Sequence, residues 1–218
     1  VLVANGEIYN YVELRAGLSD VSFQTASDCE LPLHLYVKEG LGFVNRLRGM
    51  YGLALYDPKE ARLILARDPF GIKPLYYAQT AAGFFFASEP QALIAAGIVA
   101  PHVRDQSRNE LFQLQFTTGP ATIFKGIARV LPGEVLVVEK GRIVHRERYA
   151  ALPPGGPEKI DEATALRRLD TVLADSVQVH QRSDVPYGLF FSGGIDSSTL
   201  LALMAECNPR PVATFTAG

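Results

Sequence analysis

The sequence predicts an α+β domain followed by the start of an α/β nucleotide-binding domain. Three observations predict it. Up to about residue 150, short strand-forming runs come in pairs joined by tight turns and are interrupted by helical segments, which is the α+β pattern. Residues 151–160, Ala-Leu-Pro-Pro-Gly-Gly-Pro-Glu-Lys-Ile, then break that pattern. Three prolines and two glycines in ten positions sustain neither a helix nor a central strand, so this stretch is expected to be a linker. From residue 161 to 218 a helix leads into a strand, a glycine-rich turn and a second helix, the order in which a phosphate-binding α/β domain opens.

Taken in order, Val1 to Ala4 is expected to be a strand that ends at a turn on Asn5-Gly6. Asn10 should cap a helix over Tyr11 to Gly17, with Glu13 in the capping-box position. Ser27 or Asp28 should cap the next helix, in which Leu31, Leu35 and Val37 line one face. Met50 to Tyr56 and Arg62 to Ala66 are strands joined through Asp57-Pro58-Lys59-Glu60 as a hairpin. Leu75 to Ala78 and Phe84 to Ala87 form a second strand pair. Glu89 to Ala96 is a short helix closed by Gly97. A helix is expected over Asn109 to Phe116. A hairpin follows, with Glu134 to Glu139 and Arg142 to Tyr149 turning at Lys140-Gly141. Beyond the linker, Asp161 to about Gln181 is an amphipathic helix with Leu166, Leu169, Leu173 and Val177 on one face. Tyr187 to Phe191 is a short buried strand, Thr199 to Glu206 a helix, and Val212 to Gly218 a second strand.

Composition narrows the function classes. A chain of 218 residues holds one large or two small domains, and 48% apolar with 20% charged residues is the balance of a globular protein. A formal charge of −2 carries no basic surplus, so no nucleic-acid partner is expected. No apolar run reaches the roughly 20 residues that span a bilayer, and no signal peptide opens the visible sequence. Cys29 and Cys207 lie far apart and suggest neither a disulfide framework nor zinc, which makes a reducing, cytoplasmic location the default expectation. The chain opens in a strand without an initiator Met and closes on another strand. It is therefore expected to be an internal fragment of a longer protein, with poor solubility in isolation.

The most informative segment is Ser192-Gly193-Gly194-Ile195-Asp196-Ser197-Ser198. A glycine pair between strand and helix lets backbone N–H groups approach an anion closely, and three serines add hydroxyls near the positive end of the helix dipole. It is neither a Gly-Lys-Ser/Thr phosphate loop nor a Gly-x-Gly-x-x-Gly fingerprint. With no lysine and with Asp196 in the loop, a Mg²⁺ ion held by Asp196 and phosphate oxygens is the expected substitute. An ordinary Ser/Gly turn is the plain alternative, but strand, loop and helix all stand in the required order.

Ser-Gly-Gly-x-Asp-Ser resembles the pyrophosphate loop of the ATP pyrophosphatase family. Upstream, Asn5-Gly6-Glu7-Ile8-Tyr9-Asn10, Ser27-Asp28-Cys29-Glu30 and Arg67-Asp68-Pro69-Phe70-Gly71-Ile72-Lys73-Pro74-Leu75-Tyr76-Tyr77 resemble the glutamine site of class II glutamine amidotransferases. Joined in this order, the four motifs resemble the glutamine-hydrolysing asparagine synthetase family over nearly the whole chain. That resemblance implies an Ntn-hydrolase-like αββα sandwich for residues 1–150 and the opening of a PP-loop synthetase domain for 161–218. It implies that the Asn5 side chain and the Gly6 N–H form an oxyanion hole, and that Glu7 and Asp28 hold the α-amino group of glutamine. It implies ATP bound with its pyrophosphate on Ser192, Gly193, Gly194, Asp196 and Ser197. Leu189, Phe190, Phe191 and Ser198 would line the same pocket, with Thr216 from the second strand near the adenine. The cofactors expected are ATP and Mg²⁺, and the other ligands are glutamine and a carboxylate acceptor, aspartate being the simplest.

The family reaction would proceed by attack of that carboxylate on ATP, then displacement of AMP by ammonia delivered through a tunnel from the first domain. A homodimer is an expectation at family level only. Arg67 and Asp68 are expected to form a buried ion pair that fixes their loop, and Tyr76 and Tyr77 to pack. One departure stands out. The family's nucleophile is an N-terminal cysteine whose own amine is the base, whereas this sequence starts at Val1, and Cys29 has no free amine. The chain as given is not expected to hydrolyse glutamine. The alternatives are a relative that amidates a polysaccharide or peptide, a ring-closing synthetase without glutaminase activity, and, in another class, a non-catalytic nucleotide-binding module.

Overall fold

The computed structural model describes residues 1–152 and 154–217; Pro153 of the expected linker and Gly218 of the expected last strand lie outside them. The chain divides into two units, Val1–Pro154 and Gly155–Gly218.

In chain order the first unit comprises β1 (Leu2–Ile8), α1 (Tyr11–Ala16), α2 (Leu31–Glu39), β2 (Gly49–Asp57), β3 (Arg62–Arg67), β4 (Tyr76–Thr80) and β5 (Gly83–Ala87). It continues with α3 (Pro90–Ala95), α4 (Asp105–Leu114), β6 (Ala128–Arg129), β7 (Glu134–Glu139) and β8 (Arg142–Arg148). Two antiparallel sheets result, one ordered β1-β2-β3-β7-β8 and the other β5-β4-β6. Alternation of side chains sorts their residues into layers. Ile8, Leu53, Leu55, Ile64 and Val137 meet Leu31, Leu35, Tyr36 and Phe43 on the helical side of the first sheet. Ala54, Leu65 and Leu136 meet Leu75, Tyr77 and Val130 between the two sheets. Leu93 and Ile94 of α3 cover Ala78 and Phe85 on the far side of the second sheet. The order is helix, sheet, sheet, helix, which is the αββα sandwich.

The two hairpins form where turn chemistry places them. Lys140 and Gly141 both have positive φ, 48° and 74°, the pairing that a two-residue turn needs to match strand twist. Gly97, at φ 71°, ends the turn after α3 and donates its N–H to Ile94.

Other expectations are corrected. β1 does not stop at Asn5-Gly6 but runs on to Ile8, because Gly6 pairs with Tyr51 and Glu7 with Met50 on β2. Asn10 precedes α1 without capping it through its side chain. Its carboxamide instead bonds the carbonyl of Arg46 and the N–H of Arg48, tying the helix start to the approach to β2. Val37 is 79% exposed and leaves the α2 face to Leu31 and Leu35. α4 begins four residues early, at Asp105, and ends where Gln115 turns left-handed at φ 65°.

The second unit comprises α5 (Glu162–His180), β9 (Gly188–Phe190), α6 (Ile195–Cys207) and β10 (Ala213–Phe215). Asp161 caps α5 by accepting the Thr164 N–H at 2.8 Å. β9 and β10 are parallel, and Leu189 packs with Leu173, Val177, Val212, Leu203 and Met204. Leu166 and Leu169, expected on the buried face of α5, are exposed. α6 starts at Ile195 rather than Thr199, so Asp196, Ser197 and Ser198 belong to its first turn and not to the loop before it.

Candidate functional site

β1 is an edge strand, and its alternation sets out the first site. Leu2, Ala4, Gly6 and Ile8 turn inward, whereas Val1, Val3, Asn5 and Glu7 are exposed on the other face. Asn5 lines a cleft of about 420 Å³ with Val3, Gly52, Pro74, Phe86 and Ser88. The backbone of Gly6 faces a different way. Its partner Tyr51 donates its N–H to the Asp68 carboxylate and accepts the Asp68 N–H at its carbonyl, both on the β3 side. In an antiparallel pair the residue opposite then has its N–H and carbonyl turned outward. Gly6 therefore presents both groups to the open edge, and its carbonyl accepts the Cys29 thiol at 3.6 Å. Nothing but glycine fits here: a Cβ on Gly6 would lie 2.1 Å from the Met50 carbonyl oxygen and 2.7 Å from the Tyr51 Cα. Gly49, facing Ile8, is equally close to the Glu7 carbonyl.

Asp28 arrives at the same edge from twenty residues away in sequence. It opens a single 3-10 turn, Asp28–Glu30, capped by the Ser27 hydroxyl, which accepts the Cys29 N–H at 3.2 Å. Neither residue expected to cap α2 does so: Ser27 caps this turn, and α2 itself follows Glu30 without a side-chain cap. The Asp28 carboxylate instead accepts the Ile8 N–H at 2.6 Å through Oδ2, and its Oδ1 lies 3.5 Å from the Ser27 hydroxyl. Cys29 registers the surrounding field. Burial, then the charges of Asp28 and Glu7, push its thiol up to about 11, so it stays protonated at neutral pH.

The Arg67–Tyr77 loop is held, though not by the ion pair expected. Arg67 donates to the carbonyls of Lys73, Gly71 and Val130. Asp68, fully buried, accepts from the N–H groups of Phe70, Ile72 and Lys73 and, at 3.3 Å, of Tyr51. The two charges divide the loop backbone between them, one serving carbonyls and the other amides. Tyr77 is buried between the sheets, and Tyr76 packs at the second sheet's outer layer.

The structure thus places the Gly6 backbone and the Asp28 carboxylate at the open edge of β1, with Asn5 and Glu7 on the exposed face of the same strand. Sequence reasoning missed Glu30 as a structural member of this edge. The Ser27-x-x-Glu30 spacing was the available signal, since it has the form of a capping box. In the fold Glu30 reaches further upstream, to Gln24 and Thr25.

In the second unit, Ser192, Gly193 and Gly194 link β9 to α6, at the carboxyl ends of two parallel strands. Gly193 is left-handed, at φ 75°, with no atom near where a Cβ would stand. Gly194 precedes the 13-residue helix without a side-chain cap, which leaves the first-turn N–H groups open. The Ser192 and Ser197 hydroxyls lie 3.2 Å apart over this end. Thr216 joins them from the other strand, donating to the Phe191 carbonyl. Asp196 and Ser198 are exposed in the first turn. Leu189 packs into the small core, and Phe190 is 87% exposed. Among the described residues no group of three or more His, Cys, Asp and Glu could hold a metal ion, and Asp196 is the only carboxylate within Ser192–Ser198. No helix of the described residues is long and apolar enough to cross a membrane.

Comparison with known proteins adds the following. Residues 1–150 match the family described as glutamine amidotransferase domain, and residues 168–218 match that described as asparagine synthase. Asparagine synthetase [glutamine-hydrolyzing] 1 of Bacillus subtilis is 35% identical over 220 residues, covering 100% of this chain and 34% of its own length. A putative asparagine synthetase [glutamine-hydrolyzing] of Mycobacterium tuberculosis is 39% identical over 233 residues, with 100% and 35% covered. An amidase of Penicillium rubens is 32% identical over 210 residues, with 94% and 30% covered. The chain spans about a third of the length of these relatives. With the αββα layers and the β1 edge in place, the match over residues 1–150 settles the family: the chain belongs to the glutamine amidotransferases, and its relatives include glutamine-hydrolysing asparagine synthetases.

Proposed function

We propose that the chain is the glutamine- and ATP-binding part of an ATP-dependent amide synthetase, most simply a glutamine-hydrolysing asparagine synthetase with aspartate as the acceptor. The observation that carries this is the edge of β1. The Gly6 N–H faces the open edge, its neighbour Asn5 stands on the adjoining exposed face, and the Asp28 carboxylate is docked two residues further along the same strand. In this reading the Asn5 carboxamide and the Gly6 N–H stabilise negative charge developing on the glutamine amide oxygen. Glu7 and the remaining oxygen of Asp28 hold the α-ammonium group.

The residues at the second site fit a nucleotide. Open N–H groups of a long helix, a glycine pair and the Ser192 and Ser197 hydroxyls suit a phosphate chain. ATP would supply the energy to activate the acceptor carboxylate. Asp196 offers one carboxylate to Mg²⁺, whose remaining ligands would be phosphate oxygens and water. Ser198 and Thr216 flank the same end, and a homodimer and a cytoplasmic setting accompany this reading. The relative named as an amidase favours a second reading, in which the acceptor is a different carboxylate.

The test compares two variants of the full-length protein. Asn5→Ala should lower glutamine-dependent product formation by about a hundredfold or more while leaving ammonia-dependent synthesis intact. Ser197→Ala should lower AMP release with either nitrogen source. Loss of both nitrogen-source activities in Asn5→Ala would sink the assignment of Asn5. AMP formation with other carboxylates but not with aspartate would select the second reading.

A further inference from the structure

The segment Phe23–Ala26 has no regular secondary structure, yet it is gripped on both sides. Glu30 holds its amides: Oε1 accepts the Gln24 N–H at 2.7 Å, and Oε2 accepts the N–H and the hydroxyl of Thr25, both at 2.6 Å. The Oε1 atom also meets His34 Nε2 at 3.0 Å. Arg15 holds the carbonyls: Nη2 donates to Thr25 at 2.5 Å and Nη1 to Ala26 at 3.3 Å. Its guanidinium lies 4.0 Å over the Phe23 ring, and that ring meets the edge of His34 with centroids 4.8 Å apart. Every one of these groups comes from α1, α2 or the turn before α2.

The gripped segment runs directly into Ser27 and Asp28. Ser27 is further steadied by the Thr25 hydroxyl, which accepts its N–H at 3.2 Å. The position of the Asp28 carboxylate against the Ile8 N–H is therefore set from two ends, by β1 and by the clamp. We infer that Glu30 and Arg15 are positioning residues for the ammonium-binding pair Glu7 and Asp28, acting through the Phe23–Ala26 segment and touching no substrate themselves. This inference rests on the proposed glutamine site. Two features support it beyond packing. Four donors converge on one side chain, Glu30, two residues from Asp28 in sequence. The Cys29 thiol between them experiences the charges of both Asp28 and Glu7, so the two carboxylates act on one small volume.

The test uses the full-length protein and two substrates that differ only in the α-amino group, L-glutamine and glutaramate. Glu30→Gln should raise KM for glutamine about tenfold with kcat nearly unchanged, while KM for glutaramate stays as in the unaltered protein. Arg15→Lys, which keeps the charge but not the two-carbonyl geometry, should raise KM for glutamine about threefold in the same selective way. Arg15→Lys decides the matter if Glu30→Gln does not fold. Equal changes for both substrates, or none for either, would overturn the inference and leave the glutamine site standing. If the unaltered protein does not distinguish glutamine from glutaramate, the ammonium role of Glu7 and Asp28 falls, and the inference falls with it.

Discussion

At the scale of single residues, Glu30 shows how much of a site is held by groups that carry no chemistry. Its carboxyl is held at about 2, against an ordinary 4.5, first by the His34 ring, then by the Thr25 hydroxyl and the Gln24 N–H. A carboxyl whose value is depressed by folding stabilises the fold above its unfolded value, and that contribution is lost as pH falls toward the folded one. Stability of the protein should therefore decline as pH falls from about 4.5 toward about 2, and Glu30→Gln should flatten that decline. Urea midpoints measured across this range would show it, and a decline of equal steepness in both proteins would count against it. Asn5, Gly6, Glu7 and Asp28 were all named from the sequence because their short motifs survive intact. Arg15 and His34 were not named and Glu30 appeared only within the Ser27–Glu30 motif, since Arg15 and Glu30 act largely on backbone atoms of an irregular segment and His34 acts on Glu30 and the Phe23 ring. Backbone partners leave no trace in residue spacing, whereas the Ser27-x-x-Glu30 and Glu30–His34 spacings were there to be read.

At the scale of elements, the loop from Asp68 to Pro74 is built as firmly as a strand without being one. Asp68→Ala would leave the amides of Phe70, Ile72 and Lys73 without their acceptor and remove a contact to Tyr51. A loss of about 3 kcal/mol is expected in urea unfolding, since four charge-assisted bonds to a buried carboxylate are lost and the buried Tyr51 amide loses an acceptor. A loss under about 1 kcal/mol would show that water reaches the loop. The hairpins were legible because their turns need particular residues: Lys140-Gly141 meets the demand for two positive φ angles, and Asp57 accepts the Lys59 N–H in the other turn. Helix starts were less legible. α4 and α6 each begin four residues before the expected position. Their first turns carry no buried apolar side chain, Ser107 being polar and Ile195 exposed, so apolar periodicity has nothing to report there. Asn10 misled for a different reason: a residue able to cap was taken up by a longer-range bond to Arg46 and Arg48.

At the scale of the molecule, the division after Pro154 falls in an exposed stretch, and Lys159 is exposed within it. Brief trypsin treatment should cut first after Lys159, and the piece carrying Val1–Pro154 should outlast the other, because it alone owns layered cores. Early cuts at Arg62, Arg67 or Lys73 would contradict this. The αββα layering was reachable from the family resemblance, whereas strand pairing alone left the sheet order open, since β7 returns to lie beside β3 across some seventy residues. The glycines of β1 and β2 have one more consequence, for how this sheet assembles. Sliding β1 by a single residue would exchange its two faces, sending Asn5 and Glu7 toward the helices and Ile8 to the outside. Such a slip would also set Asn5 or Glu7, with full side chains, where only Gly6 clears the Met50 carbonyl and the Tyr51 backbone. The misaligned pairing is closed off by steric exclusion before hydrophobic burial has to choose, so the register of the site is written into the chain as a set of places where no side chain is allowed.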